Sequence, residues 1–435
     1  MIRGVSAEED GKCIVTRIDA PFWREAFEAK RIAVADAIDV RAVQDLQVAV
    51  YSLAVRKTLR GPPMGDHLVV LKGTQGHWTP KVMPGGHCLV TCRDDRVSRE
   101  RANDVILWSE EGTAEYLAFA EQFVTEYYRY SESEAKLLSP FLGVCLSNVT
   151  SLDRLVARDS LDALQYLVKM HLDASPEARE VILRPLANWL GEFARRLLKT
   201  SVREDAPDLE AAGYILSMIA STRFTGARSG IRLLVDHLLA GGLAHRLEES
   251  ILSCYAAVEG RAAQADIEAA VELRTVGFDP AVAYRAVQSL PAAVGLESAE
   301  RLISRIASDD QFPRDESGSL ASVLAVSASD AHRRLISRGF EHGWWLPRYA
   351  LNRGEVARAV GAAELLRLLK EDRAAFGFKD ALALCRSLLE IGGDSARLGL
   401  ESVANGTTSE WVRVAASAAL AERNEPAEES SEPGK

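Results

Sequence analysis

The sequence contains no uncharged window of about eighteen apolar residues, the length a helix needs to cross a bilayer, so no membrane-spanning segment is expected. Cysteine is also sparse. Its six copies, Cys13, Cys88, Cys92, Cys145, Cys254 and Cys385, are scattered through 435 residues. A chain of that length holds itself together by core burial rather than by cross-links, so reduced thiols are expected. The first ten residues, Met1 to Asp10, turn acidic before an apolar stretch can form. A secretory leader is therefore not expected, and the cytoplasm is the expected compartment. Positive charge is in deficit as well, with 52 Lys and Arg against 62 Asp and Glu and a net charge of -10. Such a balance disfavours non-specific attraction to a phosphate backbone. Finally, the signatures of common catalysts are missing: no Gly-x-Ser-x-Gly, no Gly-x-x-x-x-Gly-Lys-Ser/Thr and no Gly-x-Gly-x-x-Gly. No cofactor is expected, and the balance tilts away from an enzyme.

What is present is the composition of an ordinary globular protein, 47% hydrophobic and 26% charged. Residues 1–111 mix strand and helix signals. Lys12 to Ile18 reads as a short strand, Phe22 to Ile38 and Val40 to Leu59 as helices, and His67 to Lys72 and His87 to Arg93 as the two strands of a β-hairpin. This predicts a small α+β unit. From residue 112 the pattern is helical, in a connecting region 112–210 and a longer stretch 211–422. Ser175-Pro176 and Asp279-Pro280 each place a capping side chain before a proline suited to the first helical turn. Tyr116, Phe119, Phe123, Tyr127 and Tyr130 fall on one helical face, the pattern of core packing. The acidic, proline-containing end, 423–435, has no apolar anchor and is expected to be disordered.

The most informative feature is a period of about 33 residues. Phe312, Trp345, Phe378 and Trp411 follow one another at that interval, with Phe278 one step earlier, and Leu302-Ile303-Ser304-Arg305 recurs as Leu335-Ile336-Ser337-Arg338 in the same register. Thirty-three residues hold two helices of about twelve plus connections, and neither helix buries its apolar face without the next pair beside it. The final pair, Ser395 to Val403 and then Glu410-Trp411-Val412-Arg413-Val414-Ala415-Ala416-Ser417-Ala418-Ala419-Leu420, resembles a HEAT/armadillo-like repeat, in which a Val-Arg pair precedes an Ala-rich helix. The resemblance implies a mostly α fold whose C-terminal half is an α-solenoid over 211–422, binding macromolecules along its concave face and carrying no catalytic residues.

Two clusters invite chemistry. His67, His77, His87, Cys88 and Cys92 concentrate zinc-preferred ligands within one segment. Their spacing is poor, since Cys88 and Cys92 lie about 13 Å apart along a straight strand, and packing is the simpler account. No metal is therefore assigned, with His77, His87, Cys88 and Cys92 as the only candidates. Trp344, with Arg348 and Arg353 nearby, forms a candidate partner-binding patch, because Trp and Arg dominate interface hot spots. Arg305 and Arg338 begin a basic ladder that ends at Glu371 and Ala404.

The leading functional expectation is a scaffold or adaptor that binds a protein partner through its helical repeats. One alternative is an enzyme or metal-binding effector with its site in the N-terminal unit. Another is nucleic-acid binding by the repeats, for which residues 298–373, with 12 Lys and Arg against 11 Asp and Glu, are far less acidic than the chain as a whole.

Overall fold

The structure, a computed structural model, describes residues 29–43, 48–63, 65–73, 84–92, 105–107, 113–131, 138–151, 154–172, 176–199, 207–241, 247–273, 278–327, 329–371, 376–406 and 409–424. The chain divides into two compact units, Met1–Trp189 with Asp205–Ala212, and Leu190–Glu204 with Gly213–Lys435.

The first unit is built on five antiparallel strands, β1 (Arg31–Val43), β2 (Val48–Arg60), β3 (His67–Gly73), β4 (His87–Cys92) and β5 (Val105–Leu107), in the order β3-β2-β1-β4-β5. Two expectations are corrected here. The segments read as helices, Phe22 to Ile38 and Val40 to Leu59, supply β1 and β2 over their described parts. Ala33, Ala35 and Ala37 look helical in isolation, yet they line one face of β1 and pack with Tyr51, Leu53, Leu68, Cys88 and Val90. Strand preference is decided by such cross-strand neighbours, and they overrode the helix propensity of alanine. The second correction concerns the hairpin. β3 and β4 are both strands, but β2 and β1 stand between them, so the antiparallel neighbours are β1 with β2 and β2 with β3. The proposed strand Lys12 to Ile18 lies outside the described residues.

Helices complete this unit. α1 (Thr113–Ser131) packs against β2, with Lys57 Nζ 2.8 Å from Glu121 Oε2, and α2 (Leu138–Asn148) and α3 (Arg154–His171) follow. Phe119 and Phe123 are buried, and Phe123 meets Phe141 of α2 edge-on at 4.9 Å. The aromatic face of α1 is thus core over the residues whose side chains are described. α4 (Pro176–Leu197) begins at the expected proline, and the division between units falls within it.

The second unit is helical in every described element. After α5 (Pro207–Thr222), which also spans the division, come α6 (Arg228–Leu239), α7 (Glu248–Glu259), α8 (Gln264–Ala270), α9 (Pro280–Val287), α10 (Ala292–Ser308), α11 (Ser319–Ser327) and α12 (Asp330–Glu341). Then follow α13 (Pro347–Ala350), α14 (Gly354–Val360), α15 (Ala362–Glu371), α16 (Phe378–Ala404) and α17 (Glu410–Asn424). Asp279 caps α9 by accepting the Ala281 N–H at 2.9 Å. Helices pack on neighbours two or three elements along the chain: α7 on α9, α9 on α11, α11 on α14 and α14 on α16, with α8 on α10 and α12 on α15. α16 is broken at Gly393, whose φ of 55° only glycine adopts cheaply, so Ser395 to Val403 is a separate helical run packed beside α17.

Side-chain ties across this unit recur at nearly one separation. Arg301 to Glu268, Arg305 to Glu272 and Ser322 to Glu355 each span 33 residues, while Arg232 to Asp266 and Gln264 to Ser298 span 34. His332 Nε2 reaches Glu300 across 32. Each exposed pair contributes only about 0–1 kcal/mol, so these ties fix which residues face each other more than they hold the unit together. Core burial does the latter, most visibly at Trp345, which is 1% exposed and meets Phe340 edge-on at 6.1 Å. Its ring lies over Gly339, where a methyl group would fall 2.0 Å from it.

The periodic aromatics share a position in the chain without sharing an environment. Phe278, Trp345, Phe378 and Trp411 all stand at or just before a helix start, and Phe312 lies in the connection before α11. Phe312 and Trp345 are buried, Phe278 and Phe378 half-buried, and Trp411 is 58% exposed. The helical part of the C-terminal end also runs further than expected. α17 continues through Asn424, with the Arg423 guanidinium donating to the Leu389 carbonyl at 2.8 Å. Residues 425–435 of the expected tail lie outside the described residues.

Candidate functional site

The N-terminal His/Cys cluster is dispersed by the sheet. His67 opens β3 opposite Ala54 and is exposed, whereas His87 and Cys88 lie on β4 opposite Asp36 and Ala35, with β2 and β1 standing between the two strands. The Cys88 thiol is buried in the core and donates to the Ala35 carbonyl at 3.3 Å, and burial pushes its pKa well up. Cys92 ends β4 opposite Arg31, and His77 lies outside the described residues. No group of three His, Cys, Asp or Glu side chains among the described residues is placed to hold a metal ion. Burial also pushes the Cys145, Cys254 and Cys385 thiols up to about 12, which leaves them protonated and unreactive at neutral pH.

Trp344, Arg348 and Arg353 each have partners of their own. Arg353 Nη2 lies 3.3 Å from Ser319 Oγ, beside the fully buried Asp315, whose carboxylate accepts the Leu320 N–H at 2.7 Å and the Ser317 hydroxyl at 2.6 Å. Burial raises the Asp315 pKa, against the lowering effect of those donors and of Arg353. Arg353 therefore helps seat the start of α11. Arg348 stands 5.0 Å from the Tyr349 ring, and its backbone N–H points to Asp380 at 3.4 Å. Trp344 is 7% exposed and serves as a platform for its own neighbours.

Those neighbours form the most site-like feature of the described residues. Arg334, Arg338 and His342 succeed one another at four-residue intervals along α12 and its C-cap, which places them on one face. The His342 ring stacks on Trp344 at 5.6 Å and 19°, and the Arg338 guanidinium lies 5.7 Å from the same indole. Two adjoining hollows meet at Arg338 and His342. The larger, about 500 Å³, runs between α12 and α15. The smaller, about 130 Å³, is completed by Phe312, Arg314 and the Asp309–Asp310 turn.

Charge is unevenly committed around them. On the α15 side, Arg367 holds Glu341 at 2.5 Å, Glu364 at 2.6 Å and Glu371 at 2.7 Å, and this pairing holds the Glu364 carboxyl below its ordinary range. Arg333 stands 3.8 Å from Asp330. Arg314, Arg334 and Arg338 have no carboxylate partner among the described residues. An arginine without a carboxylate, pinned on an indole, presents a planar pair of donors to an incoming anion.

Comparison with family models, curated proteins and solved structures finds no match. The site therefore stands on its own geometry. Arg314, Arg334 and His342 were not singled out by the sequence reading. The four-residue spacing of Arg334, Arg338 and His342 is visible in the sequence, but which arginines lack partners depends on residues about 33 positions away.

Proposed function

We propose that the protein is an interaction module in which the helical repeats of 211–422 hold a protein partner, and that the groove between α12 and α15 takes an acidic segment of it. The observation that carries this reading is the convergence of three guanidiniums without carboxylate partners, Arg314, Arg334 and Arg338, on two adjoining hollows. Elsewhere in the same unit Arg232, Arg285, Arg301, Arg305 and Arg386 are each tied to a carboxylate. Ties recurring near 33 residues and the packing of each helix on one two or three elements further along support the repeat organisation on which the module depends.

The test is a titration of the full chain with a fluorescent Glu-rich peptide, followed by anisotropy. The peptide is expected to bind the wild type and to lose about tenfold or more in affinity to the charge-reversed double variant R334E/R338E, with circular dichroism unchanged. No binding by the wild type, or equal binding by the two proteins, overturns the reading.

A further inference from the structure

The strongest feature beyond the groove itself is the stack at its centre. His342 and Arg338 rest on one indole, one helical turn apart, and both line both hollows. The His342 side chain is exposed, and its ring has no hydrogen-bond partner among the described residues. The indole restricts both side chains before any ligand arrives, so less side-chain freedom is lost on binding.

The surrounding charges indicate which anion fits. α12 contributes Arg333, Arg334 and Arg338 against Asp330 and Glu341. α15 faces the stack with Glu364 and Arg367, the latter already holding three carboxylates. The connection between α10 and α11 adds Arg314 against Asp309 and Asp310. Positive and negative groups balance around the two hollows, so the local field does not reward a dianion. A monoanion in contact with Arg338 gains a paired charge without being pressed against the carboxylates nearby.

We propose that Arg338 and His342, held on Trp344, form a clamp for a single carboxylate of the partner's acidic segment, and that His342 takes up a proton as the carboxylate binds. This rests on the groove reading above and assigns its ligand chemistry and its pH response. An imidazole within reach of a carboxylate favours its charged form, so affinity rises as pH falls through the range in which histidine titrates.

The experiment repeats the Glu-rich peptide titration at about pH 6 and about pH 8, with wild type, H342Q and R338Q, and adds a peptide carrying phosphoserine in place of one Glu. Wild type is expected to bind about tenfold tighter at the lower pH. H342Q is expected to bind equally at both, near the wild-type level at the higher pH, and R338Q to be weakened at both. A pH response that survives in H342Q, undiminished binding by R338Q, or a preference for the phosphoserine peptide overturns the clamp while leaving the groove as the peptide site. Absence of wild-type binding at either pH overturns the groove reading too.

Discussion

The two units reach their partners at different distances along the chain. In the sheet of the first unit β1 pairs with β2 at short range, Val43 opposite Val48, and with β4 across 61 residues, Arg31 opposite Cys92. In the second unit the ties return at close to 33 residues again and again. A constant separation writes itself into sequence as a period, because equivalent positions must satisfy equivalent neighbours. A sheet with mixed connections leaves no such trace, and its strands are fixed by partners that no local window contains.

The comparison breaks most readily at Trp345. Its indole fills a seat shaped by Gly339 and Phe340, with little room for the surroundings to collapse. Trp345→Ala is expected to cost about 3–5 kcal/mol, read as a shift of the helical unfolding transition in urea. A loss below about 1 kcal/mol would mean that the buried junctions do not hold the second unit together.

The sheet has its counterpart at Leu53, which is fully buried opposite Ala37 of β1. Leu53→Ala is expected to cost about 2–4 kcal/mol, and hydrogen exchange should place the loss in the strand amides of β1 and β2. Equal loosening of α9 to α16 would remove the contrast between the units.

These two residues also show what could be read in advance. Trp345 announced itself through its register, whereas Leu53 stood in a segment read as helical, because Ala49, Ala54, Arg56 and Lys57 all favour a helix locally. Nothing in that window reveals that Ala33, Ala35 and Ala37 lie on the neighbouring strand in one buried cluster with Tyr51 and Leu53. The site was half legible for a related reason. Arg305 finds Glu272 33 residues back, but 33 residues back from Arg338 is Arg305 itself, and Glu371, 33 residues forward, is held by Arg367. Arg338 is left to the indole by the register of its neighbours, which only the assembled ties make visible.

A smaller effect sharpens the electrostatic side. Glu364 is held below the ordinary carboxylate value of 4.5 by Arg367, and Glu355 by the Ser322 hydroxyl. Groups lowered on folding contribute stability above that value and lose it as pH falls through their folded values. Asp315, raised by burial, acts in the opposite sense and disfavours the fold as pH rises past 3.8. Gln mimics a protonated Glu, so Glu364→Gln is expected to cost about 0.5–1 kcal/mol at neutral pH and progressively less below pH 4.5. Urea midpoints across that range check it, and a constant difference would show that packing, not charge, is what Glu364 supplies.

The smallest effect is the most discriminating for the repeat. Trp411 shares the register of Trp345, yet it is 58% exposed on the first turn of α17, while Val412, Ala415, Ala416 and Ala419 face inward. If register alone conferred stability, truncating either tryptophan would cost alike. Exposure instead limits what Trp411 can lose, so Trp411→Ala is expected to move the transition by less than about 0.5 kcal/mol. A cost approaching that of Trp345→Ala would mean that Trp411 is covered in solution, by a second molecule or by residues 425–435. Concentration dependence of the transition separates the two, because only burial between molecules makes stability rise with protein concentration.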